Sequence, residues 1–490
     1  MAWNPDSILR EKDQASRLPP SRDFSTFSLV VTICLAGILC LGVGFVIWAH
    51  MSTERLARVT APEEALALLA EQMLTLHEAA PRLPAWERRL YQWLGDGDER
   101  QYVLRWYREL AAYTNDPLMA FYVAVLSGES GARSDVEATV HAWKRRPLPY
   151  SLFAQLLETA YLAPPDGRLT VYQLQARLAE MVPDGWFYRR VANRLAERIQ
   201  DHAFLEFLER SSRPAIRARI WANRVVVGFE LLSVVVGVVS LGLVYRRWRA
   251  YGAEGLRLGS SQLPPPWPGR MGVMVLIWGG ALTVLLLIGC SLMGIDQRLL
   301  QVLVPFLLHV PVVMLAVRFL WLPAGVSCIQ GWGLRLIPGQ GRLLGLMTSG
   351  LFGAALIAEW GIGHLTAVWH VSVHWTDWFD ETLILGTQAE LWSAVVTYTL
   401  VAPVLEELVF RGVLFATLRR WFGPWLSMLS SAGVFALAHG YSVGGALAIF
   451  ASGLLWAWAY EKTGSLWPGI AAHTLNNLFV CVTAIMLLRP

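Results

Sequence analysis

The sequence is poor in charge. Only 16% of its 490 residues are Asp, Glu, Lys or Arg, where soluble domains usually reach about 25%. With 55% hydrophobic residues, that scarcity excludes an ordinary soluble protein. The net charge is only +4. Lys and Arg stand beside apolar runs and form no basic stripe, which argues against a nucleic-acid surface and makes them topology signals. Cysteine is scarce as well. Cys34, Cys40, Cys290, Cys328 and Cys481 all fall in or beside apolar segments, and none lies between residues 50 and 220. No disulfide framework therefore holds that region. Strand alternation is missing from it too. The glycine-rich stretch Gly331–Gly341 is followed by neither Lys-Ser nor Lys-Thr, so it is no phosphate-binding loop, and no His-Glu-x-x-His appears.

What remains is a set of long apolar runs, with 23 Trp that suit membrane–water interfaces. Phe27–Trp48 can cross a hydrocarbon core of about 30 Å. No small-x-small cleavage site follows it, so it is expected as an uncleaved anchor with the basic residues 1–26 in the cytoplasm. Residues 50–222 then mix apolar residues at helical spacing with Glu, Arg and Gln. Breaks such as Gly95-Asp96-Gly97, Asn115-Asp116-Pro117 and Pro164-Pro165-Asp166-Gly167 separate the segments. This pattern predicts a soluble all-α domain on the outer side. Membrane helices two to five follow in 223–388, the second (Val225–Tyr245) closed by Arg246, Arg247 and Arg249. The core 389–490 completes about nine crossings. The expected fold is an all-α polytopic membrane bundle with an inserted soluble all-α domain, in a bacterial cytoplasmic membrane.

Ionisable groups in hydrocarbon cost roughly 2.5–3.5 kcal/mol each, so they mark function. They cluster in the last hundred residues. Glu407 and Arg411 are four apart in Leu391–Phe410 and its basic end, on one helix face, and can pair. Glu406 is turned about 100° away and must find a partner on another helix. The bland alternative is an interfacial salt bridge near the helix end, with Glu406 reaching out to water. His439 ends Phe435-Ala436-Leu437-Ala438-His439, where a lone imidazole is ordinarily a packing residue. His473 and Asn477 share a face at i, i+4, and Asn477 can orient the imidazole or donate a hydrogen bond. A straight helix from Trp425 would place His439 about 10 Å nearer the outside than Glu406 and His473.

Taken together, Glu-Glu-x-x-x-Arg, Phe-x-x-x-His and His-x-x-x-Asn on three late apolar helices resemble the CAAX-protease and bacteriocin-processing (CPBP) family of intramembrane endopeptidases. The resemblance covers about Leu391 to Leu488. It implies that Glu406 and His439 activate a water for peptide hydrolysis. It further implies that His473 and Asn477 stabilise the oxyanion, and that Glu407, Arg411 and Phe435 support the site. A carboxylate removed from bulk water is a better base near neutral pH. Glu406, His439 and His473 would also make a catalytic zinc set, but the glutamate mechanism needs no metal and none is expected as obligatory. The expected partners are a membrane-associated protein or peptide substrate and the lipid bilayer, with no nucleic acid.

Two rivals use the same residues. One is a non-catalytic membrane scaffold or immunity-type protein that keeps the motif for stability. The other is a proton-coupled transporter with Glu and His as a relay, which the lack of internal repeats disfavours. Among other groups, Glu359 and His364 are weaker candidates for the same cavity. His370 and His374 are expected in a solvated tryptophan belt, and His309, between Pro305 and Pro311, as a packing residue at a kink.

Overall fold

The computed structural model describes residues 26–94, 99–162, 168–369, 371 and 374–489. The N-terminal tail, the breaks at Gly95-Asp96-Gly97 and Pro164-Pro165-Asp166-Gly167, and His370 lie outside them. Among the described residues there is no strand, only an isolated bridge between Gly259 and Leu336. The protein is an all-α integral membrane protein. Contacts divide it into two units: Met1–Ser52, Glu230–Ile362 and Thr387–Cys481 make the first, and Thr53–Phe229, Gly363–Gly386 and Val482–Pro490 the second.

In the second unit, α2 (Pro62–Ala79), α3 (Ala85–Leu94), α4 (Glu99–Thr114), α5 (Pro117–Glu129), α6 (Arg133–Trp143), α7 (Tyr150–Leu157), α8 (Arg168–Met181) and α9 (Trp186–Ile199) follow one another. Helix α1 (Thr26–Ser52) belongs to the first unit. Neighbours in sequence pack together, α4 on α5, α5 on α6, α6 on α7 and α8 on α9. Tyr107, Tyr122 and Phe187 form an aromatic centre, with Tyr122 and Phe187 stacked at 3.9 Å. Glu129 has a side chain only 2% exposed and receives hydrogen bonds from Arg190 and Arg194. Burial alone would push its carboxyl up, but the hydrogen bonds and charges of Arg194 and Arg190 together hold it below the usual glutamate value.

Seven helices among the described residues are long and apolar enough to cross a membrane. They include α1, α10 (His202–Tyr251), α11 (Gly269–Leu292) and α12 (Gln297–Ala316). Helix α13 (Gly341–Val368) and two late helices complete the set. Helix α10 starts well before the expected Val225, because no breaker other than Pro214 interrupts the run from His202. Small residues let α10 and α13 approach closely. A Cβ on Gly237 would stand 2.7 Å from Gly353 Cα, and one on Gly353 2.8 Å from Gly237 Cα. In α12, Pro311 cannot donate to the carbonyl of Leu307, and Thr283 of α11 does so instead at 2.9 Å. His309 behaves as a packing residue, its Nδ1 2.8 Å from the carbonyl of Pro305.

Replacing Gly353 with Leu should force α10 and α13 apart and lower stability by about 1–3 kcal/mol or more. Gly361→Leu in the same helix, where a Cβ meets nothing within 4 Å, should be near neutral; thermal unfolding in detergent compares them. The contribution of Glu129 is complete above the usual glutamate value near 4.5 and is lost as pH falls through its lowered folded value. Glu129→Gln should therefore be less stable at neutral pH and lose part of the acid sensitivity, as read by circular dichroism melts between pH 7 and pH 3.

Candidate active site

Residues 388–418 form one helical run that changes its pitch twice. Helix α14 (Gln388–Val396) starts from a capping box, in which Thr387 and Glu390 exchange hydrogen bonds. Turns widened to π-helical geometry follow over Thr397–Val401, directly before α15 (Ala402–Glu406). Pro403 cannot donate to the carbonyl of Thr399, so a departure from regular pitch belongs here. A second widened stretch covers Glu407–Phe415 and ends in α16 (Ala416–Leu418). Neither piece alone is a long regular helix, which is why this expected span is absent from the seven. Helix α17 (Pro424–Ala438) has only 15 residues, and α18 (Val443–Thr463) and α19 (Trp467–Leu488) close the bundle.

Glu407 and Arg411 are both fully buried, and Arg411 Nη1 donates to Glu407 Oε1 at 2.7 Å. Arg411 is thus enclosed by protein and does not reach toward solvent, and the helical run carries on past it to Leu418. Arg411 Nη2 donates to the Gly453 carbonyl at 3.3 Å. A Cβ on Gly453 would lie 3.1 Å from that of Ala432 and 3.2 Å from Arg411 Nη2, so glycine makes room for the guanidinium. The same guanidinium lies over the Phe435 ring, 4.1 Å from its centroid.

Glu406 finds its neighbour on another helix. His473 Nε2 lies 3.7 Å from Glu406 Oε2, while His473 Nδ1 lies 3.3 Å from Glu407 Oε1. One imidazole thus sits between the tandem carboxylates. The indole of Trp456 stacks on it at 6.1 Å and 21°. Phe435 meets both imidazoles edge to face, His439 at 4.7 Å and His473 at 5.8 Å. His439 follows directly on α17, and its Nδ1–H donates to the Phe435 carbonyl at 2.7 Å. A neutral imidazole held so presents Nε2 as an acceptor. Glu406 and His473 both lie within electrostatic reach of it. Phe435 alone stands between the two imidazoles, so His439 lies beside His473 across that one ring. Asn477, one turn beyond His473, donates from Nδ2 to the Tyr398 carbonyl at 2.9 Å. One of its two amide N–H groups is thereby engaged with the first widened stretch.

Of the weaker candidates, His364 packs on Trp93 at 5.6 Å and Glu359 lies within electrostatic reach of Glu230. His374 is not solvated as expected. It is buried, with Nε2 3.1 Å from Glu109 and Nδ1 2.8 Å from Thr376 Oγ1. Among the described residues no three His, Cys, Asp or Glu side chains are gathered as metal ligands would be. The zinc alternative draws no support from that grouping. Sequence reasoning missed Trp456, Gly453 and the Tyr398 carbonyl. A signal existed for the first two, since a Trp and a Gly stand mid-helix in α18, away from the interface where Trp gathers.

Residues 388–479 match the family model of the type II CAAX prenyl endopeptidases, Rce1-like. Over 96 residues the chain is 31% identical to the putative membrane peptidase YdiL of Bacillus subtilis (strain 168), which is 20% of this chain and 38% of that protein. The chain thus spans under two fifths of the curated relative it matches. No solved structure matches. The resemblance to the CPBP family stands for this C-terminal region.

Arg411→Ala or Glu407→Ala would leave a buried charge uncompensated and should cost about 3–5 kcal/mol. Melting temperature and yield in detergent check this, and Glu406→Gln should change neither appreciably.

Proposed function

We propose that the protein is an intramembrane endopeptidase that hydrolyses a peptide bond with a water activated by Glu406 and His439. The observation that carries the reading is the His473 imidazole set between Glu406 and Glu407, with Phe435 touching it and His439 together. The Rce1-like match over the same residues supports it. Oε2 of each glutamate accepts no hydrogen bond within the protein, but Glu407 Oε1 is committed to Arg411. That leaves Glu406 as the uncommitted base of the two.

In this reading Glu406 takes a proton from water while its oxygen attacks the scissile carbonyl carbon, and Nε2 of His439 helps to hold that water. His473 and the remaining N–H of Asn477 donate to the oxyanion, each worth roughly 3–4 kcal/mol where such donors are preorganised. Glu406 then returns the proton to the leaving nitrogen as the C–N bond breaks, giving an acid and an amine. No step requires a metal. The N-terminus would lie in the cytoplasm of a bacterial membrane and residues 50–222 outside. The substrate would be a membrane-associated protein or peptide, and the outer domain would select it.

Glu406→Gln and His439→Ala should insert and melt like the wild type, yet lose at least about 10³-fold in cleavage of a native substrate. His473→Ala should lose roughly 10²-fold or more. The substrate can be found by trapping on Glu406→Gln, followed by a cleavage assay with purified protein. Full cleavage by a Glu406→Gln, His439→Ala double variant would sink the peptidase reading in favour of a scaffold.

A further inference from the structure

The second unit holds a cavity of about 490 Å³ that the peptidase reading does not use. Its size falls within the range of small-molecule sites, roughly 300–1,000 Å³. Six arginines line it: Arg82, Arg100, Arg189, Arg190, Arg213 and Arg217. Only two carboxylates do, Glu78 and Glu209, and no lysine. Each acid is already matched, Glu78 to Arg190 at 3.6 Å and Glu209 to Arg213 at 3.2 Å. Arg189 is held by Glu71 at 2.5 Å, from outside the lining. Arg82 and Arg217 pair with no carboxylate among the described residues, so the cavity carries an uncompensated positive charge. Burial pushes the Glu78 carboxyl up, against the pull of Arg190.

Leu83, Leu208, Ile216 and Ile220 add apolar surface to the lining. The last two belong to α10, with Arg213 and Arg217 on the same turns, shortly before the apolar run that starts at Val225. Arginine forks match the oxygens of a phosphate in pairs, as a lysine point charge does not. Forks with branched aliphatics set among them suit a phosphate attached to hydrocarbon.

We propose that this cavity is a binding site for a phosphate-bearing ligand, with Arg82 and Arg217 as its uncommitted anchors. The phosphate could be that of a lipid headgroup or free in solution, and the two are separable. The full chain in an uncharged detergent is titrated with inorganic phosphate, with dihexanoylphosphatidic acid and with dihexanoylglycerol, and binding is read by thermal shift and native mass spectrometry. Dihexanoylphosphatidic acid should bind and dihexanoylglycerol should not. An Arg82→Gln, Arg217→Gln double variant should bind at least tenfold more weakly with an unchanged melting temperature. Arg145→Gln, an exposed arginine outside the lining, should bind as the wild type does. Inorganic phosphate binding as tightly as the lipid identifies a soluble ligand, and weaker binding a headgroup; both support the site. Absence of binding by either phosphate compound overturns it. So does an unaffected double variant, an equal loss in Arg145→Gln, or equal binding of a tetraglutamate peptide. Cleavage assays are not involved, so the outcome is independent of the peptidase reading.

Discussion

The buried pair between Glu407 and Arg411 is the constraint on which the C-terminal bundle depends. Neither side chain reaches the surface, and their 2.7 Å contact joins residues one turn apart on the same helix. Two charges taken from water cost several kcal/mol each unless every remaining lone pair and N–H finds a partner. The surroundings answer that demand in part, from three other helices, while Glu407 Oε2 and Arg411 Nε find no hydrogen-bond partner within the protein. The Gly453 carbonyl of α18 accepts from the guanidinium, Phe435 of α17 offers its face, and His473 of α19 approaches the carboxylate. Because those helices must converge to neutralise one pair, they also bring His473 to Glu406 and Phe435 to His439. The chemistry thus sits on a scaffold set by a charge that does none of it.

Backbone groups impose a second constraint, since in hydrocarbon each must be satisfied within the protein. Pro311 and Pro403 each remove a donor, and the remedies differ. Thr283 serves the carbonyl left by the first, and widened turns precede the second. Those turns place the Tyr398 carbonyl where Asn477 donates to it. Irregular backbone here is tied directly to a candidate catalytic side chain.

The second unit obeys different rules. Its charges are abundant and mostly paired across helices, as in the Glu129 cluster with Arg190 and Arg194. Against that pairing, the arginine surplus of its cavity stands out as charge that folding alone does not require.

The sequence by itself determined the all-α class, the membrane character and the Glu407–Arg411 pairing. Each rests on local quantities: run length, composition, and a four-residue spacing that puts two side chains on one face. It also singled out Glu406, His439, His473 and Asn477, through the cost of polar groups in apolar helices. Only the tertiary structure decided which of these meet. Whether His473 stands between the two carboxylates depends on how α15, α17, α18 and α19 pack, and no spacing along one helix encodes the distance to another. The same holds for Arg411, whose place shortly before Arg419 and Arg420 gave no sign that packing would enclose it. His374 shows the rule in a loop, buried against Glu109 although its neighbours in sequence are interfacial tryptophans. Burial is a property of contacts between distant segments, and a linear pattern reports it only where one helix face carries it alone.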